Sequence, residues 1–310
     1  MNILFISTVD KADLWKQCLT AELADINFYV FPDCPVANED IDYVIAWKPP
    51  AGEIAKYPNL KAILSLGAGI DGITCDPELP RNVPISRLVD RCLTQGMTEY
   101  VVYWVLHHHR RMGDYARMMA AQEWDNYIQA DTEQTPVGVL GLGELGGDAA
   151  KALSALNFDV MGWSRTPKTI DGVTCLDGAD GFHDIVSKSR MLICLLPLTE
   201  DTQGILNADT FAGMPEGGVI INCARGGHLV DDDLIAALDS GQLSGAVLDV
   251  FHTEPPDMDH RFWSHPKVVM TPHMASLTVP QSAARYMAEN IRRVERGDPP
   301  LNLIDLNKGY

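Results

Sequence analysis

The chain has 310 residues, of which 46% are hydrophobic and 21% charged, and it carries a formal net charge of −18 at pH 7. Such a composition is typical of a globular protein of about two domains, and the negative charge opposes nucleic acid and anionic membranes as partners. No apolar run is long enough to span a bilayer, and the first residues predict a strand rather than a signal peptide. The seven cysteines form no C-x-x-C pair, which indicates reduced thiols in a cytoplasm.

The first part of the chain alternates apolar strands with helical segments. The segments "NILFIS", "NFYVFP", "DYVIAW" and "KAILSLGAG" are predicted strands, and a helix is predicted from Asp10 to Leu23. This alternation is typical of a parallel sheet covered by helices. A long helix is then predicted from Thr98, with Glu99 in its first turn. It runs through "HHHRR" to Trp124, and a polar loop follows.

A second alternating unit begins at Val137. Its predicted strands are "VGVL", "FDVMGW", "SRMLICLLP", "GGVIINCARG", "GAVLDVF" and "KVVMTPH". The segment "VDDDLIAALDSG" predicts a helix with an Asp cap and a closing Gly241, and a last helix over 281–296 returns the chain to the first domain. The expected fold class is α/β, with two doubly wound parallel-sheet domains and a cleft between them. We place one domain at 1–97 with 279–310 and the other at 98–278. Ligands of such sheets lie beyond the carboxyl ends of the strands.

The segment "GLGELG" has the pattern of a dinucleotide-binding turn. Gly141, Gly143 and Gly146 follow a predicted strand and open a predicted helix, which is the context that G-x-G-x-x-G requires. The three glycines allow the tight turn, the close approach of a pyrophosphate and the packing of helix on strand. The helix N-terminus offers N–H groups to the phosphates. We therefore assign Leu142, Glu144 and Leu145 of this turn to cofactor binding as well.

The strand after this turn ends in "WSRTPK". An NAD enzyme usually has an acidic residue there for the ribose hydroxyls, whereas this chain has Ser164, Arg165 and Thr166, with Lys168 nearby. A guanidinium binds a phosphate with two hydrogen bonds, and the two hydroxyls can add donors. The site is therefore predicted to take NADPH, with NADH possible but less favoured.

Three residues with complementary chemistry follow consecutive predicted strands. Arg225 ends "VIINCARGG", Glu254 follows "AVLDVFHTEP", and His273 ends "VVMTPHMA". A guanidinium can hold the carboxylate of a 2-keto acid and polarise its carbonyl. A histidine can protonate the carbonyl oxygen during hydride transfer, and a carboxylate beside it fixes its tautomer. These residues predict a catalytic Arg225, Glu254 and His273, of which Arg225 and His273 also bind substrate.

The motifs "GLGELG", "INCARGGHLVDDDLIAALDSGQLSGAVLDVFHTEP" and "TPHMA" resemble the D-2-hydroxyacid dehydrogenase family over nearly the whole chain. The segments "WKPP", "LGAGID", "WSRT" and the C-terminal "GY" are similar to its glyoxylate/hydroxypyruvate reductase A branch. The resemblance implies a flavodoxin-like substrate domain, a Rossmann cofactor domain and a preference for NADPH. It also implies that Arg225 binds substrate, that Glu254 supports the acid and that His273 donates the proton.

The resemblance assigns further positions. It implies that the backbone N–H groups of Ala68 and Gly69 meet the substrate carboxylate, that Trp47 walls a small pocket and that Arg87 lends positive charge. For Trp47 the alternative is ordinary core packing. It places these residues at the cofactor: Met97 at the nicotinamide, Asp249 at its carboxamide, Leu196, Pro197 and Thr202 at the adenosine, and Cys223 and Ala224 beside it.

The sequence thus predicts a cytoplasmic NADPH-dependent reductase of small 2-keto acids such as glyoxylate and hydroxypyruvate. The family also suggests a homodimer. A dehydrogenase of bulkier keto acids and a dinucleotide-sensing corepressor remain alternatives, although the three catalytic residue types argue against the corepressor. No metal is expected, because adjacent histidines of "HHHRR" point about 100° apart on a helix and cannot share one ion.

Overall fold

The computed structural model describes residues 1–306, so the "GY" of the resemblance lies outside the described residues. The chain divides into two compact units, Met1–Leu93 with the segment from Leu277 onward, and Thr94–Ser276. Within residues 1–306, no helix combines the length and the apolar character needed to cross a membrane.

The first unit contains a five-stranded sheet of order β2-β1-β3-β4-β5 in which neighbouring strands run parallel. This is the order of flavodoxin-like folds, as predicted. The strands are β1 (Asn2–Ile6), β2 (Asn27–Val30), β3 (Tyr43–Ala46), β4 (Ala62–Ser65) and β5 (Ile85–Ser86), and the first two helices are α1 (Ala12–Glu22) and α2 (Asp71–Thr74).

The second unit contains a seven-stranded sheet of order β12-β11-β10-β9-β6-β7-β8, again parallel. Its strands are β6 (Pro136–Leu140), β7 (Asp159–Trp163), β8 (Thr174–Leu176), β9 (Met191–Cys194), β10 (Gly218–Asn222), β11 (Leu243–Leu248) and β12 (Val268–Met270). Its helices are α4 (Met112–Ala121), α5 (Glu144–Ala155), α6 (Gly178–Lys188), α7 (Ala208–Gly213) and α8 (Asp231–Ser240), after α3 (Arg91–His109), which begins in the first unit. Strand order reverses direction between β6 and β9, the Rossmann arrangement in which ligands bind at the reversal.

Both faces of each sheet are covered by apolar side chains. In β6, Val137 and Val139 pack on the side of α3 and α5, while Leu140 packs on the side of α6, α7 and α8. In β4, Leu64 packs with residues of α1 and of α9 (Pro280–Glu295), and Ile63 packs on the opposite face. Because successive side chains of a strand point to opposite faces, these largely apolar strands are buried on both sides. The predicted doubly wound architecture is confirmed.

The long helix that the sequence predicts from Thr98 is wrong in two respects. It begins earlier, at Arg91, because the Asp90 carboxylate accepts hydrogen bonds from the backbone N–H of Cys92 and Leu93. It also stops at His109, and α4 starts anew after Arg111, which has a left-handed φ of 54°. Two helices therefore replace the predicted one.

The three histidines of "HHHRR" form the last turn of α3 rather than interior helix positions. His108 is pressed against β11, since a Cβ added to Gly245 would lie 3.1 Å from its Cε1 atom. His109 packs against Phe158, with ring centroids 5.1 Å apart. Burial lowers the pKa of His108 from its ordinary 6.5 to about 4. The folded protein therefore holds this imidazole in its neutral form.

This burial predicts acid-dependent stability. The pKa of His108 is lower in the folded chain than in the unfolded chain, so its contribution to stability is full above pH 6.5 and is lost as the pH falls toward about 4. Between about pH 7 and about pH 5 we expect the wild type to lose about 2 kcal/mol more free energy of unfolding than His108→Gln. Urea unfolding at both pH values measures it. The exposed His183 on α6 provides the control His183→Gln, and parallel losses in the wild type and His108→Gln would contradict the expectation.

Candidate active site

The turn after β6 is built so that main chain, rather than side chains, lines it. Gly141 has a φ of 101°, and a Cβ there would lie 2.6 Å from the carbonyl oxygen of Leu195, just after β9. A Cβ on Gly146 would lie only 1.8 Å from the carbonyl oxygen of Gly141. Both positions therefore require glycine. The turn sits where the strand order reverses, between β6 and β9.

Gly143 leaves this turn open. Apart from Gly143 itself and its neighbours along the chain, no described atom lies within 4 Å of the place where its Cβ would be, and Gly143, the N-cap of α5, has no side chain to cap the helix. The first N–H groups and the positive end of a twelve-residue helix thus face an uncovered backbone surface. Leu142 is buried beneath the turn against Gly162, Glu144 is exposed and Leu145 is half-buried. This open cradle fits the pyrophosphate of a dinucleotide.

The segment after β7 places two cations at the surface. Arg165 and Lys168 are exposed, whereas Ser164 is buried. The Ser164 hydroxyl donates to the carbonyl oxygen of Thr166 over 2.8 Å. In this structure the Ser164 hydroxyl therefore closes the loop itself. Arg165 and Lys168 place two cationic side chains in the segment after this strand, and a guanidinium is a phosphate-binding group.

The loop after β9 is stabilised internally. The Thr202 hydroxyl donates to the carbonyl oxygen of Pro197 over 2.7 Å and accepts from the N–H of Thr199 over 2.8 Å. Leu196 and Thr202 are buried, and Leu196 packs in the core. Thr202 therefore shapes this loop.

The loop after β10 begins with two buried residues, Cys223 and Ala224. Burial raises the pKa of the Cys223 thiol, which favours its neutral, weakly nucleophilic form. The N–H of Ala224 donates to the side-chain oxygen of Asn222 over 3.2 Å. Met97, on α3, is buried in the same apolar cluster as Leu142 and Cys223.

Asp249, directly after β11, holds the segment that carries His273. Its buried carboxylate accepts hydrogen bonds from the Thr271 hydroxyl over 2.6 Å, from the N–H of Met274 over 2.8 Å and from the N–H of Ala275 over 2.9 Å. Burial raises the pKa of this carboxyl group, and these hydrogen bonds oppose the rise. The hydroxyls of Thr271 and Tyr100 lie 2.7 Å apart. Sequence reasoning missed this role, because Asp249 reaches partners more than twenty residues away.

His273 and Glu254 are in direct contact. Nδ1 of His273 lies 2.8 Å from Oε2 and 3.0 Å from Oε1 of Glu254. His273 has a left-handed φ of 51°, and its N–H donates to the backbone carbonyl oxygens of Asp249 and Thr271. Because Nδ1 faces a carboxylate, it carries a proton, and Nε2 is the nitrogen left to exchange a proton with a ligand. The imidazole is thus oriented as an acid–base group requires.

Arg225 follows β10, and the next residue brings its segment against the one that carries Glu254. A Cβ on Gly226 would lie 2.0 Å from the carbonyl carbon of Phe251 and 2.4 Å from the backbone nitrogen of His252. Nη1 of Arg225 donates to the carbonyl oxygen of Ala224 over 2.7 Å. The structure therefore brings the Arg225 and Glu254 segments together by main-chain contact.

The candidates in the first unit lie on the loops after its strands. The Trp47 ring covers Gly67, where a Cβ would meet its Cζ3 atom at 2.5 Å. The Ser65 hydroxyl donates to the carbonyl oxygen of Gly67 over 3.0 Å and so fixes the turn that contains the half-buried Ala68 and Gly69. Arg87 follows β5, and its carbonyl oxygen accepts from the Tyr286 hydroxyl. Trp47, Ala68 and Gly69 thus sit close in the fold of this unit.

Among residues 1–306, no group of three or more His, Cys, Asp or Glu side chains could hold a metal ion. The histidines of "HHHRR" belong to no such group.

Comparison with known proteins identifies the family. The family described as D-isomer specific 2-hydroxyacid dehydrogenase, NAD binding domain, matches residues 102–275. The chain belongs to the D-2-hydroxyacid dehydrogenase family. Its match to that family covers the strands and loops that carry Gly141, Arg225, Glu254 and His273, and the resemblance read from the motifs is confirmed.

Relatives and solved structures of this family match the whole chain. Glyoxylate/hydroxypyruvate reductase A of Serratia proteamaculans is 40% identical over 315 residues, with 100% of both chains covered. A D-isomer specific 2-hydroxyacid dehydrogenase of Xanthobacter autotrophicus, solved with NADPH and MES, is 39% identical with a TM-score of 0.96, covering 100% of this chain and 99% of its own. An NADPH-dependent glyoxylate/hydroxypyruvate reductase of Sinorhizobium meliloti, solved with NADP and sulfate, is 35% identical with a TM-score of 0.94 and 100% coverage of both chains.

Proposed function

We propose that this protein is an NADPH-dependent reductase of small 2-keto acids, with glyoxylate and hydroxypyruvate as its substrates. The observation that carries the proposal is the 2.8 Å contact between His273 Nδ1 and Glu254, in the same unit as the open glycine turn. Full-length relatives named as glyoxylate/hydroxypyruvate reductases support the substrate class.

The described residues fit NADPH. The open backbone at Gly143 and the N-terminus of α5 would hold the pyrophosphate, and the exposed Arg165 and Lys168 would hold the 2′-phosphate. The rest of the cofactor site is proposed to be lined by Met97, Leu196, Pro197, Thr202, Cys223, Ala224 and Asp249. When bound, NADPH supplies the hydride that reduces the carbonyl carbon.

The protein's own side chains bind the acid and move the proton. Arg225 holds the substrate carboxylate and polarises the carbonyl oxygen, and we propose that the backbone N–H groups of Ala68 and Gly69 also meet that carboxylate. His273 donates the proton on Nε2 to the oxygen as negative charge develops there. Glu254 holds Nδ1 and stabilises the protonated ring. The proposed role of Trp47 is to limit the size of the substrate.

The position of the protein in the cell and its assembly extend the proposal. The described cysteines are free thiols, which supports a cytoplasmic location.

Met119 on α4, and Trp124 and Ile128 after it, present large apolar side chains to solvent. Exposed apolar side chains grouped in one stretch of chain are typical of an interface, so we propose that this stretch joins two copies of the chain in a homodimer.

Turnover tests the reaction. We expect loss of the near-ultraviolet absorbance of NADPH when glyoxylate or hydroxypyruvate is added, and faster turnover on these than on bulkier keto acids. His273→Gln removes the proton donor and should lower kcat by about 100- to 10,000-fold, while the affinity for NADPH, measured by fluorescence, stays unchanged. His183→Gln, on the exposed face of α6, is the control. NADPH binding without turnover on any keto acid would instead indicate a dinucleotide sensor.

Exchange of Arg165 tests the cofactor preference. Arg165→Asp replaces the cation proposed to bind the 2′-phosphate by a negative charge that repels it. We therefore expect kcat/KM for NADPH to fall by about 10- to 100-fold. The value for NADH should change far less, because NADH has no 2′-phosphate. Arg81→Asp makes the same charge change at an exposed position of the first unit and should leave both values unchanged. Equal losses with both cofactors in Arg165→Asp would refute the assignment.

Sedimentation tests the assembly. The wild type should sediment as a dimer, and the double variant Trp124→Glu with Ile128→Glu should shift it toward monomer, because charge at an apolar interface carries a desolvation cost. Val9→Glu introduces charge at another exposed apolar residue and should leave the dimer intact. A monomeric wild type, or a double variant that stays fully dimeric, contradicts the proposed interface.

A further inference from the structure

The segment between β11 and β12 carries Glu254 between two histidines that belong to no part of the mechanism. His252 precedes Glu254 by two residues, and His260 follows it by six. The segment has little regular secondary structure, since a short 3₁₀ turn at Arg261–Trp263 is its one regular element. Something other than a helix or strand must therefore fix the place of the Glu254 carboxylate.

Both histidines point at one carboxylate, that of Asp231 in the first turn of α8. His252 Nε2 lies 3.5 Å from Oδ1 of Asp231, and His260 Nε2 lies 3.2 Å from its Oδ2. The carboxylate thus contacts the Glu254 segment on both sides of Glu254. Asp231 is partly shielded, with 28% of its side chain exposed, whereas the neighbouring Asp232 is 96% exposed.

The other contacts of the two rings define which nitrogens carry protons. His260 Nδ1 accepts the backbone N–H of Phe262 over 3.3 Å, so its neutral ring carries hydrogen on Nε2 and donates to Asp231. His252 Nε2 also lies 2.9 Å from the carbonyl oxygen of Leu229, an acceptor only, and so it too is a donor. Nε2 of His252 thus donates to Leu229 and lies beside Asp231, whereas Nε2 of His260 donates to Asp231 itself.

His252 also joins the Glu254 segment to the Arg225 segment. Leu229, which accepts from His252, ends the turn that follows Arg225. Gly226 of that turn lies in main-chain contact with Phe251 and His252. The first turn of α8, the turn after Arg225 and the segment around Glu254 therefore form one connected group of residues, with Asp231 and His252 at their junction.

We infer that Asp231 is a positioning residue that, through His252 and His260, holds the Glu254 carboxylate against Nδ1 of His273. The inference rests on the proposed function, in which Glu254 orients the proton donor. Asp231 itself touches neither substrate nor cofactor in this scheme. The surrounding charges do not replace it, since Arg261 contacts Asp232 at 3.9 Å and Asp239 at 3.5 Å instead.

Kinetics of the full-length protein test the inference. Asp231→Ala should lower kcat for glyoxylate reduction by about 10- to 100-fold, because a small displacement of a catalytic group carries a penalty of that order. KM for glyoxylate and the affinity for NADPH should change little, and the solvent deuterium isotope effect on kcat should rise as proton transfer becomes limiting. Asp232→Ala, with the same charge change in the same turn, is the matched control and should behave as the wild type.

Conservative replacement separates positioning from general folding. His260→Gln keeps an N–H donor toward Asp231 and should retain most of kcat, whereas His260→Leu should lose it as Asp231→Ala does. These variants also serve if Asp231→Ala fails to fold. A crystal structure of Asp231→Ala or His260→Leu should show a longer separation between His273 Nδ1 and Glu254.

Two failures can be told apart. A wild type without turnover on any keto acid overturns the proposed function itself. A wild type that turns over, with Asp231→Ala indistinguishable from Asp232→Ala, overturns only the role of Asp231. Equal loss of kcat, NADPH affinity and melting temperature in Asp231→Ala would also overturn it, because such a pattern reports general damage to the unit.

Discussion

The chemistry depends on one short contact between an imidazole and a carboxylate. A histidine at a surface loop can present either nitrogen and rotate freely, so by itself it is a poor proton donor to a fixed atom. Glu254 at 2.8 Å from Nδ1 removes that freedom and leaves Nε2 as the nitrogen for the proposed proton transfer. The buried Asp249 carboxylate accepts hydrogen bonds from the Thr271 hydroxyl and from the N–H groups of Met274 and Ala275, and so holds the segment on both sides of the histidine. Orientation therefore comes from two carboxylates with different tasks.

The sheet explains why these groups meet. Arg225, Asp249 and His273 follow β10, β11 and β12, which are neighbours in the sheet and run parallel. Their carboxyl ends lie along one edge, as do those of β6 and β9, where the open glycine turn is found. A parallel sheet thus collects residues that are far apart in sequence at one edge. The proposed anion site and the acid–base pair share that edge because of strand order alone.

Much of this could be predicted from the sequence, and what could not has physical causes. Apolar runs and glycine spacing are local signals, so the dinucleotide turn, Gly241 with its left-handed φ of 87° and every strand except the short β5 and β8 were predictable. The start of α3 was missed because a side chain, Asp90, caps it, and its end was missed because Arg111 adopts a conformation that its sequence does not signal. Val230, not an aspartate, is the N-cap of α8. An aspartate in the first turn of a helix is already explained by the helix dipole. The contacts of Asp231 with His252 and His260 could therefore not be predicted from the sequence.

The close approach of Gly226 to Phe251 sets where substrate preference can change within this enzyme family member. Main chain meets main chain there, so the spacing between the guanidinium-bearing turn and the Glu254 segment cannot be adjusted by exchanging side chains. Under the proposed function, a change of substrate size would have to come from side chains that can differ in volume, and Trp47, whose ring covers Gly67, is our proposed example. Main-chain contact therefore fixes the spacing between these two segments, and differences in substrate size are left to the side chains that line the proposed site.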